Sequence, residues 1–243
     1  MPDAREIYRL QPERYDELVR WEDRDGTVLS CLRALRPLEG AKVIEFGAGT
    51  GRLTRLLAPY VHSIKAFELE PTMVEVARHT LAQLGIKNCE LNVADNIRVP
   101  VPDTSADLAL AGWTYGHQTV WNEAAWRPQI EQALEEMLRV LLPGGIAVVL
   151  ETLGTGHTNP FDPPPGLADY FALLEERYHF KRTWLRTDYE FPSKQRGEEL
   201  LRFFFGDDTA RKFLAVDGTR FPECTGVWWR RKGIPDQGKV PIL

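Results

Sequence analysis

The sequence predicts an α/β fold in which helices cover both faces of a doubly wound, mostly parallel sheet. Three short apolar runs, at residues 41–46, 106–113 and 146–153, alternate with amphipathic helical patterns, and such runs are typical of buried parallel strands. The β-α-β-α-β order through residues 41–152 favours right-handed crossovers between the strands. With 243 residues, of which 43% are hydrophobic, the chain is long enough to bury one substantial core.

Weaker patterns fill the intervals between these runs. Residues 64–68 and 89–93 are strand candidates on either side of a helix that begins at Pro71, because proline is favoured in a first helical turn. A second helix over residues 130–141 ends just before the Pro143-Gly144-Gly145 turn. Beyond this core the patterns predict a helix near 167–177, a strand near 179–190, a helical pair near 193–215 and a final strand that ends at Trp229.

Charge and cysteine content exclude several classes of protein. The chain has 30 Lys and Arg residues against 35 Asp and Glu residues, so its net charge of −5 gives no general attraction to nucleic acid or anionic lipid. Three scattered cysteines and five histidines show no ligand spacing, so we expect neither a disulfide framework nor a metal site. No apolar run approaches the roughly 20 residues of a membrane span. Because the N-terminus also lacks a secretion signal, we expect a cytoplasmic protein without membrane association.

A glycine-rich turn joins the first predicted strand to its helix. Gly47, Gly49 and Gly51 alternate there, and glycine permits positive φ and close backbone approach to a ligand at a helix N-terminus. The dinucleotide fingerprint requires Gly or Ala where this chain has Arg52, and the phosphate-loop Gly-Lys-Ser/Thr triplet does not occur. Both phosphate-binding interpretations are therefore weakened.

The run Glu45-Phe-Gly-Ala-Gly-Thr-Gly51 resembles motif I of the class I S-adenosylmethionine-dependent methyltransferases. The resemblance continues in order along residues 41–152. Glu68 with Pro71 is similar to the acidic end of the second strand, and Asp95-Asn96 to the next acidic element. The later matches are Asp107–Ala111, which resembles the fourth strand, and Glu136–Gly145, which resembles the segment before the fifth strand.

The resemblance implies a Rossmann-like methyltransferase fold with seven strands, an antiparallel last strand, N-terminal helices and a C-terminal helical insertion. It implies S-adenosylmethionine as cofactor, with Glu68 accepting bonds from the ribose hydroxyls, 21 positions after Gly47. Glu70 remains a rival for that role, because a shift of two residues keeps the same face of a strand. The other implied cofactor contacts are Asp95 and Asn96 at the adenine, and Glu45, Gly47, Ala48, Gly49, Gly51, Ala111 and Gly112 around the glycine turn and methionyl tail.

The same comparison divides the chain, which we expect to form a single methyltransferase domain over residues 1–243. Residues 1–37 form an N-terminal helical cover, residues 38–152 the cofactor-binding core, and residues 153–243 the strands and helical insertion that shape the acceptor site. In the cover, Tyr8, Tyr15 and Trp21 are equally compatible with a lid and with core anchoring.

Candidates for contact with the methyl acceptor follow the fourth and fifth strands. His117 is a possible general base near neutral pH, with Tyr115 as a second catalytic candidate. Trp113 and Trp121 would favour a sulfonium cation and shape an apolar pocket, although plain packing explains these aromatic residues equally well. The remaining candidates for acceptor contact are His157 and Glu151.

A small molecule is the expected acceptor. The segment after the fourth predicted strand reads Ala111-Gly-Trp-Thr114, without the Asp/Asn-Pro-Pro-Tyr motif of enzymes that methylate amino groups of nucleic acids. Two alternatives stay open, namely a methyltransferase that acts on protein or RNA, and a non-catalytic module that only binds the nucleoside. Transfer of the methyl group separates the enzymes from the module. The sequence leaves the oligomeric state open.

Overall fold

A computed structural model describes residues 3–233 of the chain. The elements of its first half are α1 (Ala4–Leu10), α2 (Pro12–Val19), α3 (Thr27–Leu35), β1 (Lys42–Phe46), α4 (Arg52–Leu57), β2 (Ser63–Glu68), α5 (Pro71–Gln83), β3 (Cys89–Val93) and β4 (Ala106–Gly112). The second half contains α6 (Gln118–Trp121), α7 (Trp126–Val140), β5 (Leu141–Thr155), α8 (Pro165–Ala172), a π-helical turn (Leu173–Arg177), β6 (Lys181–Arg186), β7 (Tyr189–Glu190), α9 (Lys194–Phe205), α10 (Asp207–Leu214), β8 (Arg220–Phe221) and β9 (Glu223–Arg231).

Seven of these strands form one sheet in the order β3-β2-β1-β4-β5-β9-β6. The pairs from β3 through β5 are parallel, whereas β9 runs antiparallel to both of its neighbours, β5 and β6. The predicted fold class, the strand count and the reversed last strand are therefore confirmed. From β1 the chain builds outward to β2 and β3 on one side and then returns to add β4 and β5 on the other. This reversal opens a crevice at the carboxyl ends of β1 and β4, where α/β sheets bind their ligands.

Both faces of the sheet are buried, as the continuous apolar runs predict. Val43 and Leu108 face one hydrophobic cluster, which α3, α4 and α5 complete. Their neighbours Ile44 and Ala109 face a second cluster, to which α7 and α8 contribute. The alternation follows from the two-residue period of a strand, and it fixes the register because a slip of one residue would exchange the two faces.

A third hydrophobic cluster joins the two ends of the chain. Leu18 of α2 packs there with Leu201 of α9 and Phe213 of α10, together with the short β7–β8 ribbon. Arg196 of α9 also pairs with Glu17 of α2. The sequence patterns treat the N-terminal helices and the C-terminal insertion as separate parts. The structure instead makes them a single wall over the carboxyl edge of the sheet.

Several predicted boundaries shift. The predicted strand near 179–190 divides into β6 and β7, and only β6 belongs to the main sheet. The predicted helical pair corresponds to α9 and α10, and it interrupts the last two strands of the main sheet, β6 and β9. The division into a cover, a core and an acceptor part stays a prediction. Within residues 3–233, no helix is long and apolar enough to cross a membrane.

The glycine turn after β1 has little room for side chains. Gly47 has a φ of +68°, and a Cβ atom there would lie 2.4 Å from Thr114 Cγ2. Thr114 cannot easily move aside, because its hydroxyl donates to the Gly112 carbonyl at 3.0 Å. Gly51, with a φ of +79°, begins α4 against Ala77 of α5. These positions require glycine both for backbone conformation and for close packing.

Gly47→Ala should therefore destabilise the protein more than a glycine substitution that costs only backbone strain. Gly40 is the matched control, since its φ is +74° and nothing lies within 4 Å of its added Cβ. We expect Gly47→Ala to lower the free energy of unfolding by about 1–3 kcal/mol more than Gly40→Ala, the usual cost of overpacking. Urea denaturation of both variants measures the difference, and equal losses would contradict the packing role of Thr114.

Candidate active site

One cavity of about 510 Å³ lies at the carboxyl ends of β1, β2, β3 and β4. The predicted site residues that line it are Glu45, Gly47, Ala48, Gly49, Glu68, Asp95, Asn96, Gly112, Trp113, Tyr115, His117 and Trp121. Gly51 lies at the start of α4 and Ala111 within β4, and neither lines the cavity. The topology thus brings together residues that are separated by up to 76 positions in the sequence.

Glu45 is a buried carboxylate in the wall near the glycine turn. Its Oε2 atom accepts a hydrogen bond from the Thr54 hydroxyl at 2.6 Å. Burial raises the pKa of Glu45 to about 7, and the charge of Glu68 adds to the shift while the Thr54 bond opposes it. A cation bound beside Glu45 would reverse this effect, because an opposite charge favours the ionised carboxylate.

Glu68 ends β2 and binds the glycine turn. Its Oε2 accepts from Gly49 N–H at 2.8 Å, and its Oε1 accepts from Glu70 N–H at 3.0 Å. Burial raises the pKa of Glu68, while these backbone bonds lower it. Each carboxylate oxygen has two lone pairs, so both oxygens can accept a further bond from a ligand hydroxyl.

Glu70 also lines the cavity, but its carboxylate has another role. It caps α5 by accepting from the backbone N–H of Thr72 at 3.4 Å and from the Thr72 hydroxyl at 3.1 Å. A carboxylate at this position satisfies a free N–H group of the first helical turn. The geometry therefore favours Glu68 over Glu70 as the partner of a ligand.

Three residues that line the cavity have buried polar atoms without a protein partner in the described part of the chain. These atoms are Thr50 Oγ1, Asn96 Oδ1 and Tyr115 Oη, and none of them has a hydrogen-bond partner within residues 3–233. Asp95 Oδ1 accepts from Ile97 N–H at 3.1 Å, which holds the turn after β3. Buried polar groups are normally paired, so these three atoms are unusual features of the cavity wall.

Aromatic side chains form the wall opposite the glycine turn. Tyr8 and Tyr15 of the N-terminal helices contact each other edge to face, with ring centroids 5.0 Å apart, and both line the cavity. Phe204 of α9 packs against Tyr15 at 5.2 Å, and Trp121 lies 6.1 Å from Tyr8. Trp21 does not line the cavity but packs against the third hydrophobic cluster. Of the three aromatic residues in the predicted cover, two therefore face the cavity and one anchors the helices.

His117 lies within this aromatic wall. Its ring stacks on Trp121 with centroids 4.9 Å apart, and its Nε2 lies 3.2 Å from the Tyr8 hydroxyl. Burial lowers the pKa of His117 to about 4, so the imidazole is neutral near pH 7. A neutral imidazole has one nitrogen that can accept a proton.

Two other candidates for contact with the acceptor are Tyr115, which lines the cavity, and Glu151, which lies behind its wall. The Oε1 atom of Glu151 accepts from the N–H groups of Tyr115 and Gly116 at 3.0 and 2.9 Å, and Glu151 does not line the cavity. It fixes the loop that carries His117. Burial raises the pKa of Tyr115 well above its ordinary value, so its hydroxyl stays protonated and can donate a hydrogen bond but cannot act as a phenolate base.

His157 lies outside the cavity. Its ring stacks on Phe161 at 4.9 Å, and its carbonyl accepts from the Cys224 thiol at 3.3 Å. The expected contact of His157 with the acceptor therefore has no support in the geometry. Within residues 3–233, no group of three His, Cys, Asp or Glu side chains could hold a metal ion, and the expectation of a metal-free protein stays a prediction.

Sequence patterns missed a buried charged cluster beside the cavity. Arg52 donates from Nη1 to Glu22 Oε2 at 2.8 Å, and its guanidinium lies 4.0 Å from the centroid of the Trp113 ring. Behind this pair, Glu223 Oε1 accepts from the Thr152 hydroxyl at 2.7 Å. Burial raises the pKa of Glu223 to about 8, and the charge of Glu22 contributes to the shift. In the sequence, Arg52 is notable only as a mismatch to the dinucleotide fingerprint.

The sheet order, the reversed last strand and the acidic residues at the cavity define a class. Residues 44–149 match the model of a family described as a methyltransferase domain. Residues 44–149 therefore carry a methyltransferase domain, and the resemblance to the class I S-adenosylmethionine-dependent methyltransferases that the motifs predict is confirmed for this region.

A curated relative is the demethylmenaquinone methyltransferase of Clavibacter sepedonicus, which is 31% identical over 147 residues. The alignment covers 56% of this chain and 56% of the relative, so the chain spans about half the length of the curated relatives it matches. The matched family region contains the cofactor side of the cavity and ends before α8, α9 and α10.

Two solved structures show the same fold at low sequence identity. An S-adenosylmethionine-dependent methyltransferase from Aquifex aeolicus superposes with a TM-score of 0.52 at 18% identity and covers 93% of each chain. The [4+2]-cyclase SpnF superposes with a TM-score of 0.56 at 21% identity, over 86% of this chain and 82% of the cyclase. Identities this low relate the folds and leave the reaction to be argued from the site.

The buried carboxylates make stability depend on pH. The folded-state pKa of Glu223 is about 8, above the ordinary value of 4.5, so its contribution is full below about pH 4.5 and is lost as the pH rises through 8. Glu45 and Glu151, whose pKa values are about 7, act mainly at lower pH. Between pH 7 and 8 the free energy of unfolding should fall, with a share from Glu223 of up to about 1.4 kcal/mol per pH unit.

Glu223→Gln should flatten this part of the curve, because glutamine cannot ionise yet keeps an oxygen for the Thr152 hydroxyl. Denaturant unfolding at pH 7 and pH 8 measures the slope for both proteins. Glu75→Gln, which removes an exposed carboxylate from α5, controls for the change in net charge. A Glu223→Gln slope equal to that of the original protein would contradict the assigned pKa.

Proposed function

We propose that the protein is an S-adenosylmethionine-dependent methyltransferase that transfers a methyl group to a small-molecule acceptor with an apolar or aromatic part. One observation carries the proposal: a single cavity joins the acidic edge of the sheet, at Glu45 and Glu68, to the aromatic wall around His117. A cofactor and an acceptor held in one cavity gain the proximity that methyl transfer requires.

The residues of the acidic edge fit the cofactor. Glu45 and Glu68 are buried carboxylates without a cationic hydrogen-bond partner, and the cofactor carries an ammonium and a sulfonium charge. Glu68 would hold the ribose, while Asp95 and Asn96 would hold the adenine. The unpartnered Asn96 Oδ1 and Thr50 Oγ1 atoms give the wall spare polar capacity. When bound, the cofactor supplies an electrophilic methyl group.

The protein's own residues contribute orientation, exclusion of water and acceptance of a proton. The glycine turn and Trp113 shape the wall on the cofactor side, and Tyr8 and Tyr15 cover the acceptor side. Closure by aromatic rings removes water from the reacting groups. His117 is the proposed proton acceptor, positioned by Tyr8 on one side and by Trp121 on the other. The low pKa of His117 keeps the imidazole neutral near pH 7 and so able to accept a proton, but it makes His117 a weaker base than an ordinary histidine.

The aromatic wall favours an acceptor with a planar apolar ring. Tyr8, Tyr15 and Trp121 line the cavity with ring faces and edges, which stabilise aromatic ligands beyond simple area burial, and Phe204 supports this wall by packing on Tyr15. The Clavibacter relative is named for demethylmenaquinone, whose quinone ring fits this description. Because the matched region ends before the C-terminal insertion that carries Phe204, we propose the ring class and not that particular substrate.

A protein or RNA acceptor is disfavoured by the cover. The N-terminal helices are tied to the cavity wall by the Tyr8–His117 contact and to α9 by the Glu17–Arg196 ion pair, so a large substrate meets an obstacle there. The net charge of −5 gives no compensating attraction to RNA. The three scattered cysteines, which show no disulfide or ligand spacing, support a cytoplasmic location.

The alternative without methyl transfer has one specific support. The cyclase SpnF shares this fold, so the fold alone does not establish methyl transfer. A screen that incubates the protein with S-adenosylmethionine labelled in the methyl group and with pools of small metabolites, including hydroquinones and phenols, separates the two. Label in a product establishes the transferase, whereas tight cofactor binding without transfer to any pool favours the binding module.

Glu68→Ala should weaken binding of S-adenosylhomocysteine by at least about tenfold, the contribution of roughly one hydrogen bond to a charged group. Glu70→Ala is the matched control. It removes the cap of α5 and should cost about 1 kcal/mol of stability, with affinity unchanged. Calorimetry measures both affinities, and thermal unfolding checks that each variant is folded. A larger affinity loss for Glu70→Ala than for Glu68→Ala would transfer the ribose role to Glu70.

His117→Ala should slow methylation of a phenol or hydroxyl acceptor much more than that of a thiol, which is largely self-activating because it ionises readily. The comparison uses kcat/KM for the two acceptors with one cofactor concentration. Tyr8→Phe keeps the ring but not its hydroxyl, so it tests whether the effect depends on the positioned imidazole. Equal slowing of both acceptors by His117→Ala would remove His117 as the base.

A further inference from the structure

Arg52 is a guanidinium held rigidly in the cavity wall beside the glycine turn. Its side chain is 16% exposed, and it is the first residue of α4. Glu22 binds one edge through Nη1, and the Trp113 ring lies against one face. Burial lowers the pKa of Arg52, but the charge and hydrogen bond of Glu22, together with the nearby Tyr189 and Tyr15, raise it by more, so the group stays charged. Orientation by an ion pair and an aromatic face is typical of an arginine that recognises a planar anion.

The other edge of this guanidinium has no protein partner. The one side-chain hydrogen bond described for Arg52 uses Nη1, which leaves the Nε and Nη2 donors without an acceptor in residues 3–233. These two nitrogens are not among the buried polar atoms that lack a partner, so they keep access to the cavity that Arg52 lines. The Nε–Nη2 edge presents two parallel N–H groups, which match the two oxygens of a carboxylate.

The acidic partner of this edge lies across the same turn. Glu45 is the penultimate residue of β1 and Arg52 begins α4, so the glycine turn connects a buried carboxylate to a buried guanidinium, and both residues line the cavity. A zwitterionic α-amino acid group carries an ammonium and a carboxylate on the same carbon atom. A protein that binds both charges therefore needs one acidic and one basic residue. The other arginine of the cavity, Arg5, packs on Trp121 in the aromatic wall, at 4.8 Å from the ring centroid.

We propose that Arg52 forms a carboxylate subsite of the cavity and receives the methionyl carboxylate of the cofactor, opposite Glu45. The proposal rests on the proposed function, because it assumes that the cavity binds this cofactor. A carboxylate on the methyl acceptor is the other source of the same chemistry. Glu22 and Trp113 are positioning residues in this scheme, since they act on the ligand only through Arg52.

The test compares two ligands that differ in the amino acid group. S-Adenosylhomocysteine carries it, whereas 5′-methylthioadenosine keeps the nucleoside and the sulfur without it. Calorimetry should show that Arg52→Gln weakens S-adenosylhomocysteine binding about tenfold or more and changes 5′-methylthioadenosine binding less than twofold. Arg52→Lys, which keeps the charge but not the paired donors, should show an intermediate loss. Arg33→Gln is the matched control and should change neither affinity, because Arg33 also packs on an aromatic ring, at 4.1 Å from the centroid of Tyr60, but does not line the cavity.

Other outcomes overturn the proposal in distinguishable ways. Equal weakening of both ligands by Arg52→Gln would show general damage to the glycine turn, and thermal unfolding of the Gln and Lys variants checks for such damage. Unchanged affinity for both ligands, with a raised KM for a carboxylate-bearing acceptor, would assign the subsite to the acceptor. An original protein that binds neither ligand would contradict the proposed function and the subsite with it. If the original protein and the Arg52→Gln variant bind both ligands equally well, and the KM for a carboxylate-bearing acceptor is also unchanged, the subsite is contradicted and the proposed function is not.

Discussion

The hydrogen bond from Gly49 N–H to Glu68 Oε2 ties the glycine turn to the end of β2, and the rest of the candidate site depends on this connection. The parallel register of β1 and β2 prepares it by placing Phe46 beside Phe67, so that Ala48 N–H can also donate to the Phe67 carbonyl at 2.9 Å. Two hydrogen bonds therefore hold the turn, one from Ala48 N–H to the backbone of β2 and one from Gly49 N–H to the Glu68 carboxylate. Gly47, Arg52 and the start of α4 take their positions from it.

The core and the cofactor side could be predicted because their signals are local. A strand, a turn and a helix follow one another within residues 42–57, and the alternating glycines mark the left-handed conformations that the turn requires. The same local information could not separate Glu68 from Glu70, since residues two apart share a face of a strand. Their difference lies in hydrogen bonding, because Glu70 turns back to cap α5 while Glu68 turns towards Gly49.

The acceptor side could be predicted only in outline, because its contacts join distant parts of the chain. The Tyr8–His117 contact spans 109 positions, and the Glu17–Arg196 pair spans 179. The hydrophobic periodicity of a sequence gives no information about contacts between residues so far apart. His157 was an expected contact because it follows β5, but the register shift between Thr152 and Gly154 and the φ of +150° at Gly154 redirect the chain. Arg52 carried no functional signal, since its role depends on Glu22 and Trp113, which reach it only in the folded protein.

Tyr8 belongs to two networks at once. Its carbonyl accepts from the Thr72 hydroxyl of α5 at 3.0 Å, while its own hydroxyl contacts His117 Nε2. The first bond fixes α1 to α5. The second contact places the Tyr8 phenol at Nε2 of His117, where an acceptor hydroxyl would compete with it for the same nitrogen. In the proposed reaction, with His117 as the base and Nε2 as its accepting nitrogen, entry of the acceptor exchanges one hydroxyl for another with little change in the number of hydrogen bonds. An acceptor must be the better partner as well as the right shape, which makes selectivity a matter of hydrogen-bond strength in addition to the contour of the aromatic wall.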